Sequence, residues 1–378
     1  MSLFPVYPLF DVTPISAQGA WLTDAKGERY LDFYGGHAVI SVGHGHPHYV
    51  KRLKDQMDRI SFYSNSVPIP IQTELDHKLG QLSGYTDYQL FLCNSGAEAN
   101  ENAFKVASHV NGRRKILAFE KAFHGRTSLA VAATDNAKLV FPVNEGAEII
   151  RCSLGDQEEV ARHLNTGEVC CVIIEGIQGV GGIVESDTSF LQFLREMCTK
   201  TGTQLILDEV QSGFGRTGRF FAHQHAGIEA DIITMAKGMG NGFPVGGILI
   251  KPSIEAFAGM LGTTYGGNHL ACAASLGVLE VLESEDLMEH ARELGDYMIR
   301  ELNDMEPVLE VRGKGLMIGV ELPFAIADLR KKLLYSHHIF TGSSSNPNTL
   351  RLLPPLTITK DEVDFFLNAL GEQLIPQG

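Results

Sequence analysis

Asp231-Ile232-Ile233-Thr234-Met235-Ala236-Lys237-Gly238-Met239-Gly240-Asn241-Gly242 runs from an apolar strand into a lysine and then into glycines. A lysine at the end of a buried strand is unusual, because burying an ammonium is costly. Taken alone, it reads better as a surface residue at a strand end. The glycines reverse that reading, since they let backbone crowd a ligand. A desolvated lysine has a lowered pKa and becomes a nucleophilic amine.

Other apolar runs surround this one. Strands are expected over 88–93, 115–119, 169–175, 204–208 and 247–250, and helical patterns over 97–109 and 269–283. Continuous apolar strands between helices imply an α/β fold with a mostly parallel central sheet, covered on both faces. Residues 20–33 alternate around Asp24-Ala25-Lys26-Gly27, which reads as a hairpin. The expected division is an N-terminal arm and hairpin over 1–43, a large domain over 44–270 and a smaller α+β domain over 271–378.

Asp208 closes the strand that begins at Gln204, about one strand–helix–strand unit before Lys237. Two strand ends on one sheet edge can face a single ligand. A carboxylate there can pair with a protonated pyridine nitrogen. A lone Asp would read as a cap or an ion pair. Asn94-Ser95-Gly96-Ala97-Glu98 joins a strand directly to a helix, and free N–H groups at such a start bind anions. Simple capping is the plainer alternative. Arg126 and Arg351 sit in short motifs and could each grip a carboxylate.

Two patterns mislead. Gly213-Phe-Gly215-Arg-Thr-Gly218 matches a dinucleotide fingerprint, but four residues separate it from the strand and no apolar helix follows. His44, His46 and His48 alternate, yet no Cys or acidic ligand is near in sequence, so a packed loop is expected and no metal. The net charge of −14 argues against a nucleic-acid partner. No apolar run approaches the ~20 residues that span a bilayer. Six cysteines without CxxC spacing suggest buried thiols in a reducing compartment, so the cytoplasm is expected.

In order along the chain stand Tyr30-Leu-Asp-Phe, Gly43-His-Gly-His-Pro, Asn94 to Asn100, Phe123-His-Gly-Arg-Thr, Leu207-Asp-Glu-Val-Gln-Ser-Gly-Phe-Gly-Arg-Thr-Gly, Ala236-Lys-Gly, Thr264-Tyr-Gly-Gly-Asn and Arg312-Gly-Lys-Gly-Leu. This series resembles the class III, fold-type-I aminotransferases that use pyridoxal phosphate. Within the class it looks most like acetylornithine and succinylornithine aminotransferases. The resemblance implies that Lys237 is the Schiff-base lysine and proton carrier. Asp208 would pair with the pyridine nitrogen, Gln211 with the ring hydroxyl, and Phe123 would stack on the ring. Gly96 and Ala97 would bind the phosphate. Thr264 would reach the phosphate of a second copy, so a homodimer with shared active sites is implied. Arg126 would hold the donor α-carboxylate and the glutamate side chain, Arg351 the α-carboxylate of glutamate or 2-oxoglutarate, and Tyr7 the donor carboxylate.

Three departures stand out. The family motif Glu-Pro-Ile-Gln-Gly-Glu-Gly-Gly reads here Glu175-Gly176-Ile177-Gln178-Gly179-Val180-Gly181-Gly182. The second Glu normally masks the arginine at Arg351; Val180 cannot. Gly176 replaces Pro, which is expected to loosen the loop. His37 stands where such enzymes usually carry Ile or Tyr. Together Val180 and His37 suggest more cationic or donor character, suited to a donor with an extra carboxylate such as N-succinylornithine. Other ω-amine donors (ornithine, 4-aminobutyrate), an aminomutase or decarboxylase on the same fold, and a non-enzymatic cofactor-binding regulator are the alternatives.

Overall fold

The computed structural model describes residues 3–374. Met1, Ser2 and residues 375–378, the outer ends of the expected arm and C-terminal segment, lie outside the described residues. The chain opens with β1 (Pro14–Gln18), β2 (Trp21–Asp24) and β3 (Arg29–Asp32), paired antiparallel. The Asp24 carboxylate accepts the N–H groups of Lys26 and Glu28 at 2.8 and 3.0 Å, and Gly27 takes φ 87°. That turn is the hairpin expected from sequence.

The central sheet has seven strands. They are β4 (Gln89–Cys93), β5 (Lys115–Phe119), β6 (Ile149–Cys152), β7 (Val169–Glu175), β10 (Gln204–Asp208), β11 (Ile232–Met235) and β12 (Gly246–Ile250), and a short ribbon, β8 (Ile177–Gln178) with β9 (Val184–Glu185), follows β7. The order across the sheet is β4-β12-β11-β10-β7-β5-β6. Only β12 runs against its neighbours. β7 is buried at every residue, as a strand covered on both faces must be. The edge strand β6 escaped the sequence reading because it is four residues long, half-buried and carries Arg151. Arg151 donates to the carbonyls of Ala132, Ala133 and Thr134.

Helix Gly96–Asn111 follows β4 without a linker. Ser95 caps it by accepting the Glu98 N–H at 3.2 Å, and Gly112 ends it with φ 69°. Its inward face carries Ala99, Ala103 and Ala107, small enough to bring the helix close to the sheet. Helix His269–Ser284 is buried on almost every side, against helices Pro47–Arg59 and Pro70–Ser83. The boundary expected at 270/271 falls in its first turn. Beyond it, β13 (Glu310–Lys314), β14 (Met317–Glu321), β16 (Gly342–Ser343) and β17 (Thr349–Leu352) form an antiparallel sheet. β15 (Ile339–Phe340) leaves that group and pairs in parallel with β3, so hairpin and C-terminal segment share one sheet.

The connection from β10 to β11 is not the helix expected. It is a glycine loop followed by a 3-10 turn, Ala222–Ala226. Gly213 and Gly218 have no room for a Cβ, and Arg216 threads inward to donate to the carbonyls of Leu316 and Pro354. The fingerprint-like glycines therefore pack loops together.

Candidate active site

Residues that follow or close β4, β5, β7, β10 and β11 line one cavity of about 380 Å³. This is the carboxyl edge of the parallel strands, where open α/β sheets place ligands. Asp208, the last residue of β10, pairs in register with Thr234 on one side and Glu175 on the other. Lys237 follows β11 by two residues, with φ 47°, a conformation that side-chain-bearing residues rarely adopt. Burial pushes its ammonium below the ordinary lysine range. Asp208 and Glu175 oppose that shift, and Arg351 adds to it.

Asp208 is fixed by three donors. Asn100 Nδ2 and His124 Nδ1 reach Oδ2 at 2.9 and 2.7 Å, and the Val210 N–H reaches Oδ1 at 3.1 Å. Asn100 also donates to the His124 carbonyl at 2.7 Å, which locks both. Glu175 accepts the N–H of Phe123 at 2.9 Å and of Gly179 at 2.9 Å. It thus positions a ring and a loop at once. Burial raises its pKa, and Asp208 adds to the rise while His124 opposes it.

Pyridoxal phosphate fits these residues. The amine of Lys237 suits an aldehyde carbon, and Asp208 suits a protonated ring nitrogen. Phe123 and Val210 both line the cavity and offer flat apolar walls to a ring. The first N–H groups of helix Gly96–Asn111 have no intrahelical acceptor and suit a phosphate. A Cβ at Gly96 would lie 2.6 Å from Val210, so only glycine fits that close approach.

The family model for Aminotransferase class-III matches residues 7–374. The chain belongs to the class III aminotransferases. This aminotransferase is 40% identical to the acetylornithine aminotransferase of Archaeoglobus fulgidus over 92% of the chain and 91% of that protein. It is 39% identical to the acetylornithine aminotransferase of Bacillus subtilis, over 96% of the chain and 94% of that protein. Its backbone matches an ornithine aminotransferase from Toxoplasma gondii, whose active site holds pyridoxal phosphate at partial occupancy, with TM-score 0.90 at 27% identity, covering 99% and 92% of the two chains. A Bacillus anthracis aminotransferase matches with TM-score 0.91 at 27% identity, over 99% and 96%.

In the class III aminotransferase described here, Lys237, Asp208, Gly96, Ala97, Phe123, Gln211 and Arg126 all line the cavity, and Val180 stands there with them. Arg351 and His37 stand just outside, and Gln211 joins them. Its Nε2 donates to the His37 carbonyl at 3.2 Å, and its Oε1 accepts from Arg351 Nη1 at 3.4 Å. Arg351 is 3% exposed. Burial pulls its pKa down, and Tyr34 and Glu175 partly restore it. Among the described residues no carboxylate forms an ion pair with Arg351. Tyr7 is 78% exposed and Thr264 is exposed, and neither lines the cavity.

Two expectations need correction. Burial lowers the His37 pKa to about 4, with Arg351, Lys237 and Arg330 adding to the effect. His37 is therefore neutral at pH 7 and brings no positive charge. Nor does Gly176 loosen its loop: a Cβ there would lie 2.9 Å from Ala222, in a fully buried stretch.

Sequence reasoning missed Asn100, His124, Glu175 and Val210 as site residues. Asn100 is one helical turn past the start of helix Gly96–Asn111, the only local signal for it. His44, His46 and His48 each meet a different carboxylate, on Asp32, Glu285 and Glu280. Elsewhere Cys152, Glu159 and His163 bring ligand atoms within 4.8 Å of one another. Burial pushes that thiol up to about 12, so it stays protonated. No helix of the described residues is long and apolar enough to cross a membrane.

Proposed function

We propose that this aminotransferase uses pyridoxal phosphate to move the terminal amine of an N-acylated ornithine, N-acetyl- or N-succinyl-L-ornithine, to 2-oxoglutarate. The observation that carries the reading is the placement of Lys237 in one cavity with Asp208 and the anion-binding helix start. When bound, pyridoxal phosphate supplies an electrophilic carbon for the amine and a ring that accepts the electron pair left by proton removal.

The chain's own residues do the rest. Lys237 Nζ, kept below its ordinary pKa, would take a proton from the donor's amine-bearing carbon and return it across the nitrogen, two bonds away, to the carbon contributed by the bound cofactor. Asp208 would keep the ring nitrogen of the bound cofactor protonated, and its three donors keep the carboxylate fixed. With the cofactor bound, Gln211 would serve the ring hydroxyl, Phe123 and Val210 would offer apolar walls to the ring, and Gly96 and Ala97 would offer N–H groups to the phosphate. Arg126 holds the donor α-carboxylate, and Arg351 that of glutamate. Arg126 is exposed at the cavity wall, 5.9 Å from the Phe123 ring, and free to swing to a ligand.

Thr264 acts at the phosphate site of a second copy, and Tyr7, on the arm, helps hold the donor carboxylate. Their exposure supports this, as do the exposed apolar residues Leu3, Phe4 and Leu9 of the arm, which a partner would cover. The six free, buried thiols support a cytoplasmic setting. The similarity to acetylornithine aminotransferases supports the N-acylornithine donor. Val180 leaves Arg351 without a masking carboxylate, which favours a donor with an extra carboxylate.

A donor screen with 2-oxoglutarate as acceptor tests this: N-acetylornithine, N-succinylornithine, ornithine and 4-aminobutyrate. Glutamate should form fastest with an N-acylornithine. Turnover without glutamate would replace transamination with an aminomutase or decarboxylase reaction.

A further inference from the structure

Arg330 is a half-buried cation that pairs with no acid among the described residues. It lies on helix Ala327–His337. Its Nε and Nη2 donate to a single acceptor, the Thr341 carbonyl, at 3.2 and 2.7 Å. The Phe10 ring of the arm stands 5.5 Å from its Cζ. Burial lowers its pKa, and the neighbour that opposes the shift is the Tyr34 hydroxyl, not a carboxylate. Leaving a guanidinium half-desolvated without an anion is unfavourable unless an anion arrives.

Its surroundings lead to the active site. Thr341 precedes Gly342, which pairs with Arg351 across β16 and β17. A Cβ at Gly342 would touch the Tyr34 ring at 2.9 Å and Arg351 at 3.1 Å, so these side chains form one packed layer. The Tyr34 hydroxyl meets the His37 ring at 2.5 Å, and the His37 carbonyl is held by Gln211 of the cavity wall. Gln211, His37 and Tyr34 thus form a run of polar groups leading out from the cavity wall, and Arg330 stands near enough to Tyr34 and His37 to act on the charge of both.

We propose that Arg330, with Tyr34 beside it, reads the terminal carboxylate of the donor's acyl chain. The inference rests on the N-acylornithine reading and deepens it: it assigns the residue that distinguishes a succinyl-type chain from an acetyl group. A guanidinium matches a carboxylate with two parallel hydrogen bonds, and Nη1 is not engaged by Thr341. An acetyl group brings nothing for it to bind.

The test compares kcat/KM for N-succinylornithine and N-acetylornithine in the wild-type holoenzyme and in Arg330→Gln and Arg330→Lys, with melting curves as a fold control. Arg330→Gln should lose at least about tenfold with the succinyl donor, mainly through KM, and less than about twofold with the acetyl donor, as expected for one charge-assisted contact. Arg330→Lys should restore part of the loss. Equal losses with both donors would make Arg330 a tie between arm and helix and overturn the assignment, as would no loss with either. The wild-type arm separates the two claims. If neither acylated donor exceeds ornithine, the donor reading falls and the Arg330 assignment with it. If both are turned over but Arg330→Gln does not discriminate, only the Arg330 assignment falls.

Discussion

Replacing Asp208 by Asn changes one atom at the point where the site is most tightly built. Three donors converge on the carboxylate, at 2.7, 2.9 and 3.1 Å. The amide does best with its oxygen toward Asn100 and His124, keeping the two shorter bonds. Its NH2 group then faces the Val210 N–H, and one buried donor is left opposing another. That mismatch costs about 1–3 kcal/mol, and turning two charge-assisted bonds into neutral ones removes roughly 1 kcal/mol each. A loss of about 3–5 kcal/mol lies within the stability of a typical domain, so the variant should fold. The effect on rate should be larger in kind. An amide cannot hold a proton on the ring nitrogen, and losing one preorganised electrostatic contact costs about 10²–10³ in kcat. Urea unfolding and single-turnover rates with saturating pyridoxal phosphate measure the two effects separately. A variant that folds, binds cofactor and keeps kcat within about threefold of wild type would refute the role of Asp208.

Two further predictions concern the cavity wall. In Gly179→Ala the new Cβ would sit 1.8 Å from Gln211 Oε1. Gln211 must rotate away and release Arg351 and the His37 carbonyl, so kcat/KM for 2-oxoglutarate should fall about tenfold or more while stability changes by no more than about 1–3 kcal/mol; unchanged steady-state kinetics would contradict this. The His37 pKa is about 4 in the folded chain, below the ordinary 6.5. The unfolded chain therefore takes up a proton first as pH falls through that window, and the folded state loses stability there, with no effect above it. His37 keeps more than a third of its surface in solvent, so screening holds the loss below about 1 kcal/mol. His37→Asn should flatten the urea midpoint between pH 6.5 and 4.5 relative to wild type; parallel curves would count against the shift.

Much of this arrangement is written locally. Val169–Ile174 is an unbroken apolar run, which declares a strand covered on both faces, and Glu175 at its end declares where the sheet edge lies. Lys237 and Asp208 are legible for the same reason: each is a charge at the end of an apolar run. The supporting residues are not legible, because their meaning lies in partners far along the chain. Asn100 and His124 become site residues only when helix Gly96–Asn111 and the loop after β5 meet at Asp208. Glu175 looks like a strand end until it grips Phe123 and Gly179. The depth of Arg351 and the neutrality of His37 are also tertiary effects, set by desolvation that no spacing reveals. Val180 was visible in sequence as a departure, whereas the burial of Arg351 with no acid partner among the described residues was not.

The most direct test of the central claim is to trap the cofactor on the chain. Purified protein is incubated with pyridoxal phosphate, reduced with borohydride, digested and mapped by mass spectrometry. The adduct should appear on the peptide that contains Lys237 and vanish in Lys237→Ala, which should still fold. An adduct on another lysine, or none on the wild-type chain, would contradict the assignment of Lys237 and the chemistry built on it.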